Sequence, residues 1–277
     1  VTAVAARTSP RRRLDAVLER LRTADGRRDL ACAMEAVLFR HVLDAHWPAV
    51  RDDSHGGFLT DLDRRWRADR PQDKSLEFIA RETWVFARAA QAYPGRGYDE
   101  AARHGFAFLT EVMWDGAHGG FHTLVDRAGR PLRGGAKHPH GHTYAIEAGL
   151  AMVPLLGPGE GVAWAERTFE WLEAVAWDPD HGGYWGEYRA DNAPVEADPD
   201  APALNFDWIG TPIGWKDLNV PGDALGALTA LAVATNAPRA RARLAWYFDL
   251  YAGRLATAPW LMPYFYTRDW APIPDLP

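Results

Sequence analysis

One cysteine, Cys32, stands in a chain of 277 residues. That excludes an internal disulfide framework and fits a reducing compartment. No apolar run reaches membrane-spanning length, and Val1 to Arg13 lack the basic-then-apolar order of a signal peptide. There is no long basic run: net charge is −6, and Arg11-Arg12-Arg13 is short enough to read as a solvated tail. Nothing here favours a nucleic-acid partner. No Gly-x-Ser-x-Gly is present. Gly157-Pro-Gly-Glu-Gly161 follows a helical stretch and lacks the Lys-Ser/Thr of a phosphate loop, so it reads as a turn. The expectation is a soluble cytoplasmic protein with no membrane or nucleic-acid partner.

What the chain does have is a repeat. Asp-x-x-His-Gly-Gly-aromatic occurs at Asp52 to Phe58, Asp115 to Phe121 and Asp178 to Tyr184, with a step of 63 residues. Lys74 and Lys137 keep that step, and Lys216 follows after a further 16 inserted residues. Ala102, Phe106, Leu109 and Met113 mark one face of a helix. The same stretch recurs one step later, where Phe169, Leu172 and Val175 answer Phe106, Leu109 and Val112. Each unit therefore predicts a helix, a Gly-Gly turn, a short β-hairpin, a Lys and a second helix; Ser75 to Tyr93 and roughly His142 to Leu156 are two of these second helices. A fourth, degraded unit has Leu261-Met-Pro-Tyr264-Phe-Tyr without the glycines. The insertion within Arg189 to Trp215 reads equally as a lid or as a surface loop.

Helix pairs of this kind bury their apolar faces only by stacking or by closing into a ring. The expected fold is all-α, of the (α/α)6-barrel type but incomplete. Six units would need about 380 residues, so this chain supplies about four. Residues 1–28 read as a tail and lead-in helix, and 29–277 as a single toroid domain.

Few residues stand out chemically. Arg81, inside an apolar helix, is either paired with Glu77 on a solvated face or aimed inward to hold an oxyanion. Lys137-His138-Pro-His140-Gly-His142 is the densest polar cluster. Pro139 and Gly141 break the geometry a metal would need, so no metal is expected, and His142 opens a helix as a candidate proton shuttle. The 13 Trp serve as core, or in part as a stacking floor for sugar rings.

The Gly-Gly hairpins, Lys74…Arg81-Glu-Thr-Trp84, His140-Gly-His142-Thr-Tyr-Ala-Ile-Glu and Lys216-Asp-Leu-Asn219-Val-Pro-Gly-Asp223 together resemble the N-acylglucosamine 2-epimerase superfamily. That group includes cellobiose 2-epimerases and the mannose and sulfoquinovose isomerases. The resemblance runs from about Asp29 to the end and stops short of the family's C-terminal helices. It implies proton transfer at C2 of a free aldose or N-acyl hexosamine through an enediolate, with no metal or nicotinamide cofactor. By resemblance Arg81 is the enediolate-binding arginine and His142 the histidine of the isomerase branch. The family's Pro-Gly-His-x-x-Glu meets Asp223 and Gly226 here, so Asp223 replaces a catalytic histidine and Gly226 a glutamate. Trp84, His122, His138, Trp185 and Asn219 complete the candidate sugar-binding set. Two other readings stand beside this one: a non-catalytic carbohydrate- or small-molecule-binding barrel, and an (α/α)-barrel glycoside hydrolase with two carboxylates. The partner is a small carbohydrate, and a homodimer stays open.

Overall fold

The computed structural model describes residues 10–198, 200, 205–256 and 262–273. Chain contacts divide it into two compact units, one running to Ala49 and the other starting at Val50. The boundary expected between residues 28 and 29 falls within the helix Ala24–Leu38, whereas the compact units part at Ala49/Val50. In the first unit, α1 (Pro10–Leu21) and α2 (Ala24–Leu38) form a hairpin, and a π turn (Phe39–Leu43) leads into the short α3 (Asp44–His46). The Thr23 hydroxyl caps α2 by accepting from the Gly26 N–H at 3.0 Å. Arg11 to Arg13, expected as a tail, lie within α1.

The second unit holds three helical hairpins. The inner row is α4 (Leu76–Ala92), α6 (Pro139–Ala151) and α9 (Asn219–Thr235). α5 (Tyr98–Phe108), α8 (Pro158–Trp171) and α10 (Pro238–Leu250) form the outer row, and the short α7 (Val153–Leu156) joins α6 to α8. α6 packs against both α4 and α9. With the hairpin of the first unit, the described residues supply four helical hairpins. Gly157 makes the only turn in its glycine-rich stretch (φ 87°); the residues after it open α8. No helix among the described residues is long and apolar enough to cross a membrane.

The repeated motif is structural. Each outer helix ends in a π turn, at Leu109–Met113, Leu172–Ala176 and Tyr251–Leu255. In the first two, the chain then turns through Asp and Gly-Gly. Asp115 Oδ1 accepts from the Ala117 and His118 N–H groups at 2.8 and 3.2 Å. Gly119 and Gly120 take φ of 72° and 78°. A Cβ on Gly120 would lie 2.5 Å from Trp171 Nε1, so glycine is needed for both its φ and its space.

The three lysines are buried anchors of these turns. Lys137 Nζ donates to Asp115 Oδ2 at 2.8 Å, to the Gly119 carbonyl at 2.6 Å and to the Ala190 carbonyl at 2.8 Å. Lys74 does the same with Asp52, Gly56 and Arg127, and Lys216 with Asp178 and Gly182. Arg127 and Arg268 add bidentate pairs to Asp52 and Asp178. Burial opposes the charge on these aspartates, but the cationic partners outweigh it and hold all three well below the usual range. Burial pulls Lys216 down to about 8.

The expected short hairpins form within the units, with antiparallel bridges Val125–Pro131 and Tyr188–Pro194, and further ladders join successive units. β1 (Lys74–Ser75) pairs antiparallel with β2 (Leu124–Val125). Lys137 bridges to Tyr188, and β3 (Lys216–Asp217) pairs with β4 (Phe265–Tyr266), which in turn pairs with β5 (Pro272–Ile273). Each anchor lysine thus sits on a strand stitched to the next unit's hairpin, so neighbouring hairpins share backbone hydrogen bonds as well as apolar contacts. The middle of the insertion (Pro199 and 201–204), Leu261 at the head of the degraded unit, and the chain end at Pro277 lie outside the described residues.

Candidate active site

The anchors set the register of the inner helices, and the exposed face of that row follows from it. Three, seven and ten residues after each lysine, the chain presents Glu77, Arg81 and Trp84 on α4, His140, Tyr144 and Glu147 on α6, and Asn219, Asp223 and Gly226 on α9. The spacing is that of one helical face. α4 is capped by the Ser75 hydroxyl, and α6 carries Pro139 at its first position, where its missing N–H costs nothing.

These positions form one connected network. His140 Nε2 is ion-paired with Asp223 Oδ2 at 2.9 Å, and Nδ1 donates to Glu77 Oε1 at 3.3 Å. Two carboxylates at the two ring nitrogens require both nitrogens to carry hydrogen, so the ring is an imidazolium. Burial works against that charge, but the hydrogen bonds to Asp223 and Glu77 and their negative charges prevail and raise His140 to about 9. For Glu77 too, burial pushes the carboxyl up and the bond to His140 more than offsets it, leaving it below its ordinary value. The Arg81 guanidinium donates to the Tyr144 oxygen and lies over the same ring, 3.9 Å from its centroid. The Tyr144 hydroxyl in turn faces Asp223. A continuous run of charged and polar contacts therefore links Glu77, His140, Asp223, Tyr144 and Arg81 across three helices.

Of the sequence candidates, the structure brings Arg81, Trp84, Asp223 and Asn219 to this face. Trp84 is 41% exposed, one turn beyond Arg81. The Asn219 side chain faces Tyr264, which precedes β4 of the β3–β4 sheet. The Glu77–Arg81 pairing considered from sequence is not formed; both residues pair with α6 instead.

The other candidates lie elsewhere. His142, expected as the proton shuttle, is fully buried and stacked on Trp171, with centroids 3.9 Å apart and planes at 12°. Its Nε2 accepts from the Phe121 N–H at 2.8 Å and its Nδ1 donates to the His138 carbonyl at 2.9 Å. Both nitrogens are thus spent on backbone, and burial, aided by the nearby Lys137 charge, depresses it to about 3. It thus lines the wall in this structure, with both ring nitrogens bonded to backbone. His138 is buried as well. Its Nδ1 accepts from the His140 N–H at 3.2 Å, and its Nε2 faces Asp207 of the inserted segment at 3.1 Å. His122 contacts the Gly135 carbonyl, and Trp185 lies under Arg268 beside the Asp178 anchor. Neither joins the network. The three clustered histidines thus serve three different sets of partners, and no metal-binding group of His, Cys, Asp or Glu occurs among the described residues.

His140, Tyr144, Glu147 and Glu77 were not picked out as site residues from sequence. The signal that finds them is the lysine register: Arg81 and Tyr144, like Glu77 and His140, stand one 63-residue step apart.

The comparisons with known proteins agree with this architecture. A family model described as N-acylglucosamine 2-epimerase matches residues 56–199. A cellobiose 2-epimerase of Ruminococcus albus is 29% identical over 127 residues, which is 46% of this chain and 32% of that protein. The structure of cellobiose 2-epimerase from Spirochaeta thermophila DSM 6192 superposes with a TM-score of 0.77 at 28% identity, covering 89% of this chain and 59% of that one. A D-mannose isomerase shares the fold, with a TM-score of 0.67 at 23% identity over 81% of this chain and 54% of its own. The chain thus matches about a third of the length of its curated relative and spans under two thirds of its structural neighbours.

Proposed function

The chain belongs to the N-acylglucosamine 2-epimerase family, and from that premise we propose that it performs proton transfer at C2 of an open-chain aldose or N-acyl hexosamine, as a sugar isomerase or epimerase. The observation that carries this reading is the Glu77–His140–Asp223–Tyr144–Arg81 network on the inner helices. Loss of a proton from C2 is feasible only if the charge arriving on the C1 oxygen is held as it forms. Arg81 is exposed at this face and is oriented by Tyr144 rather than by a carboxylate, so its guanidinium keeps its full charge for an enediolate.

The division of labour follows from the bonding. His140 has both N–H groups committed to carboxylates and serves as a fixed cation beside the reacting centre. Asp223 is ion-paired with His140 and faces Tyr144, so it orients groups rather than abstracting a proton. Trp84 offers an exposed indole face one turn from Arg81, suited to the C–H face of a sugar ring. The cellobiose 2-epimerase names of the relatives favour the same substrate class.

The test is incubation with glucose, mannose and N-acyl hexosamines in deuterated water, followed by proton NMR. Deuterium entering at C2 or C1 of at least one sugar is the expected result. A folded protein that exchanges none of them refutes the reading.

A further inference from the structure

Resting on the C2 reading above, we propose that Glu147 is the base that carries the proton between C2 and C1 of the bound sugar. It is the glutamate that ends the His140-Gly-His142-Thr-Tyr-Ala-Ile-Glu stretch, to which the sequence assigned no role. It lies on α6, one turn beyond Tyr144 and two beyond His140, on the same half-exposed face. Every other acid–base group of the network is bonded to a partner: His140 to two carboxylates, Asp223 to His140, and Tyr144 to Arg81. Glu147 makes no hydrogen bond or ion pair among the described residues, yet it sits within electrostatic reach of both Arg81 and Asp223. A base needs an uncommitted lone pair next to the cation that will receive the developing charge, and Glu147 is the carboxylate here with neither oxygen bonded to a partner.

The opposite helix makes room for it. A Cβ on Gly226 would stand 2.8 Å from Glu147 Oε1. Gly226 lies inside α9 with no left-handed φ, so its backbone conformation does not demand glycine. A glycine in a helix interior is unfavourable unless its missing side chain is needed, and here the space it leaves holds a carboxylate. The charged and titratable groups facing Glu147 are Arg81 from α4, Asp223 from α9, and Tyr144 on its own helix. Burial comes first, and the Asp223 charge adds to it, in raising the Glu147 carboxyl above its ordinary value; Arg81 opposes them.

The step balances without any co-reactant. The Glu147 carboxylate takes the hydrogen from C2, and the C–H electron pair becomes the C1–C2 double bond. The carbonyl electron pair moves onto O1, where Arg81 holds it. Glu147, now a carboxylic acid, returns the proton to C1 while the O2 hydrogen passes to O1, leaving a ketose and an ionised Glu147. One carrier on one face makes aldose–ketose isomerisation the outcome. Inversion at C2 needs a second base on the opposite face, and His140 has no free lone pair to be one.

The experiment compares wild type, Glu147→Gln and Glu147→Asp with aldoses labelled at C2 by deuterium, following the label and product by NMR and sugar binding by calorimetry. The expected result is a ketose with part of the label moved to C1. Glu147→Gln should lower exchange by about 10²–10⁴-fold with sugar affinity kept within about threefold, and Glu147→Asp should retain part of the rate. The acid limb of the wild-type rate profile should lie above the ordinary glutamate value and move down in Asp223→Asn. Exchange in Glu147→Gln within about threefold of wild type overturns the proposal and leaves the C2 reading standing. A C2 epimer formed with complete loss of label to solvent overturns the single carrier. No exchange in wild type overturns the C2 reading and this proposal with it.

Discussion

Replacing His140 by glutamine tests the centre of the network quantitatively. In the folded chain the imidazolium lies between Glu77 and Asp223, which raise it from 6.5 to about 9. Its ordinary value applies when the chain is unfolded. A group that binds its proton more tightly when folded stabilises the fold most where both states are protonated, below about 6.5. That contribution is lost as pH rises through about 9. At about 1.4 kcal/mol for each tenfold of proton affinity, it amounts to about 3 kcal/mol. The His140 side chain is only 10% exposed, so solvent screens little of it. The stability difference between wild type and His140→Gln, from urea titrations at pH 6 and pH 10, should therefore shrink by about 3 kcal/mol toward the alkaline end. The groups facing His140 are Glu77 from α4, Asp223 from α9, and Tyr144 packed edge-on on its own helix, 5.2 Å between centroids. Carbon-13 NMR of the imidazole checks the same claim directly. A His140 that titrates near 6.5, or a stability difference flat across that range, refutes the clamped-imidazolium reading.

Three further outcomes follow from the geometry. Lys137→Met leaves Asp115 largely buried without its cation and should cost about 3–5 kcal/mol of stability by denaturant titration, whereas Lys→Met at an exposed site would cost little. His142→Ala leaves the Phe121 N–H without its acceptor and removes the stack on Trp171. It should cost about 1–3 kcal/mol of stability while the pH profile of any turnover stays where it was; a displaced profile would support His142 as a shuttle. Arg81→Lys keeps the charge but loses the planar contact with Tyr144. It should lower C2 exchange by about 10²–10³-fold with an unchanged melting temperature, and an undiminished rate would show that Arg81 holds no oxyanion.

Part of the site was within reach of the sequence. Arg81 stands out because a charge inside an apolar helix calls for a reason, and Asp223, Asn219 and Trp84 fall on the exposed face with it. His142 stands out as well because it opens the same helix as His140, two residues apart. At 3.6 residues per turn that separation puts the two rings on nearly opposite sides. One faces the network and the other the Trp171 indole, and only the anchor lysine, by fixing the helix's rotation, says which is which. Glu147 closes the stretch that starts at His140, but that pattern assigns it no role. It matters because α9 has a glycine opposite, which is a relation between two helices that pattern within one helix does not contain.

The architecture was legible for a different reason. A step of 63 residues with fixed Asp, Gly-Gly and Lys requires one unit used repeatedly, and helix pairs with one apolar face must pack in a row. Repetition is a one-dimensional property, so a one-dimensional string is enough to reveal it. The pairing of Lys74's strand with the next unit's hairpin, and the carboxylates that meet His138 and His140, depend on which surfaces meet across 50 residues or more, and the boundary at Ala49 on how those surfaces pack. Those were decided by packing and by where a buried charge could find its counter-charge, which no local pattern encodes.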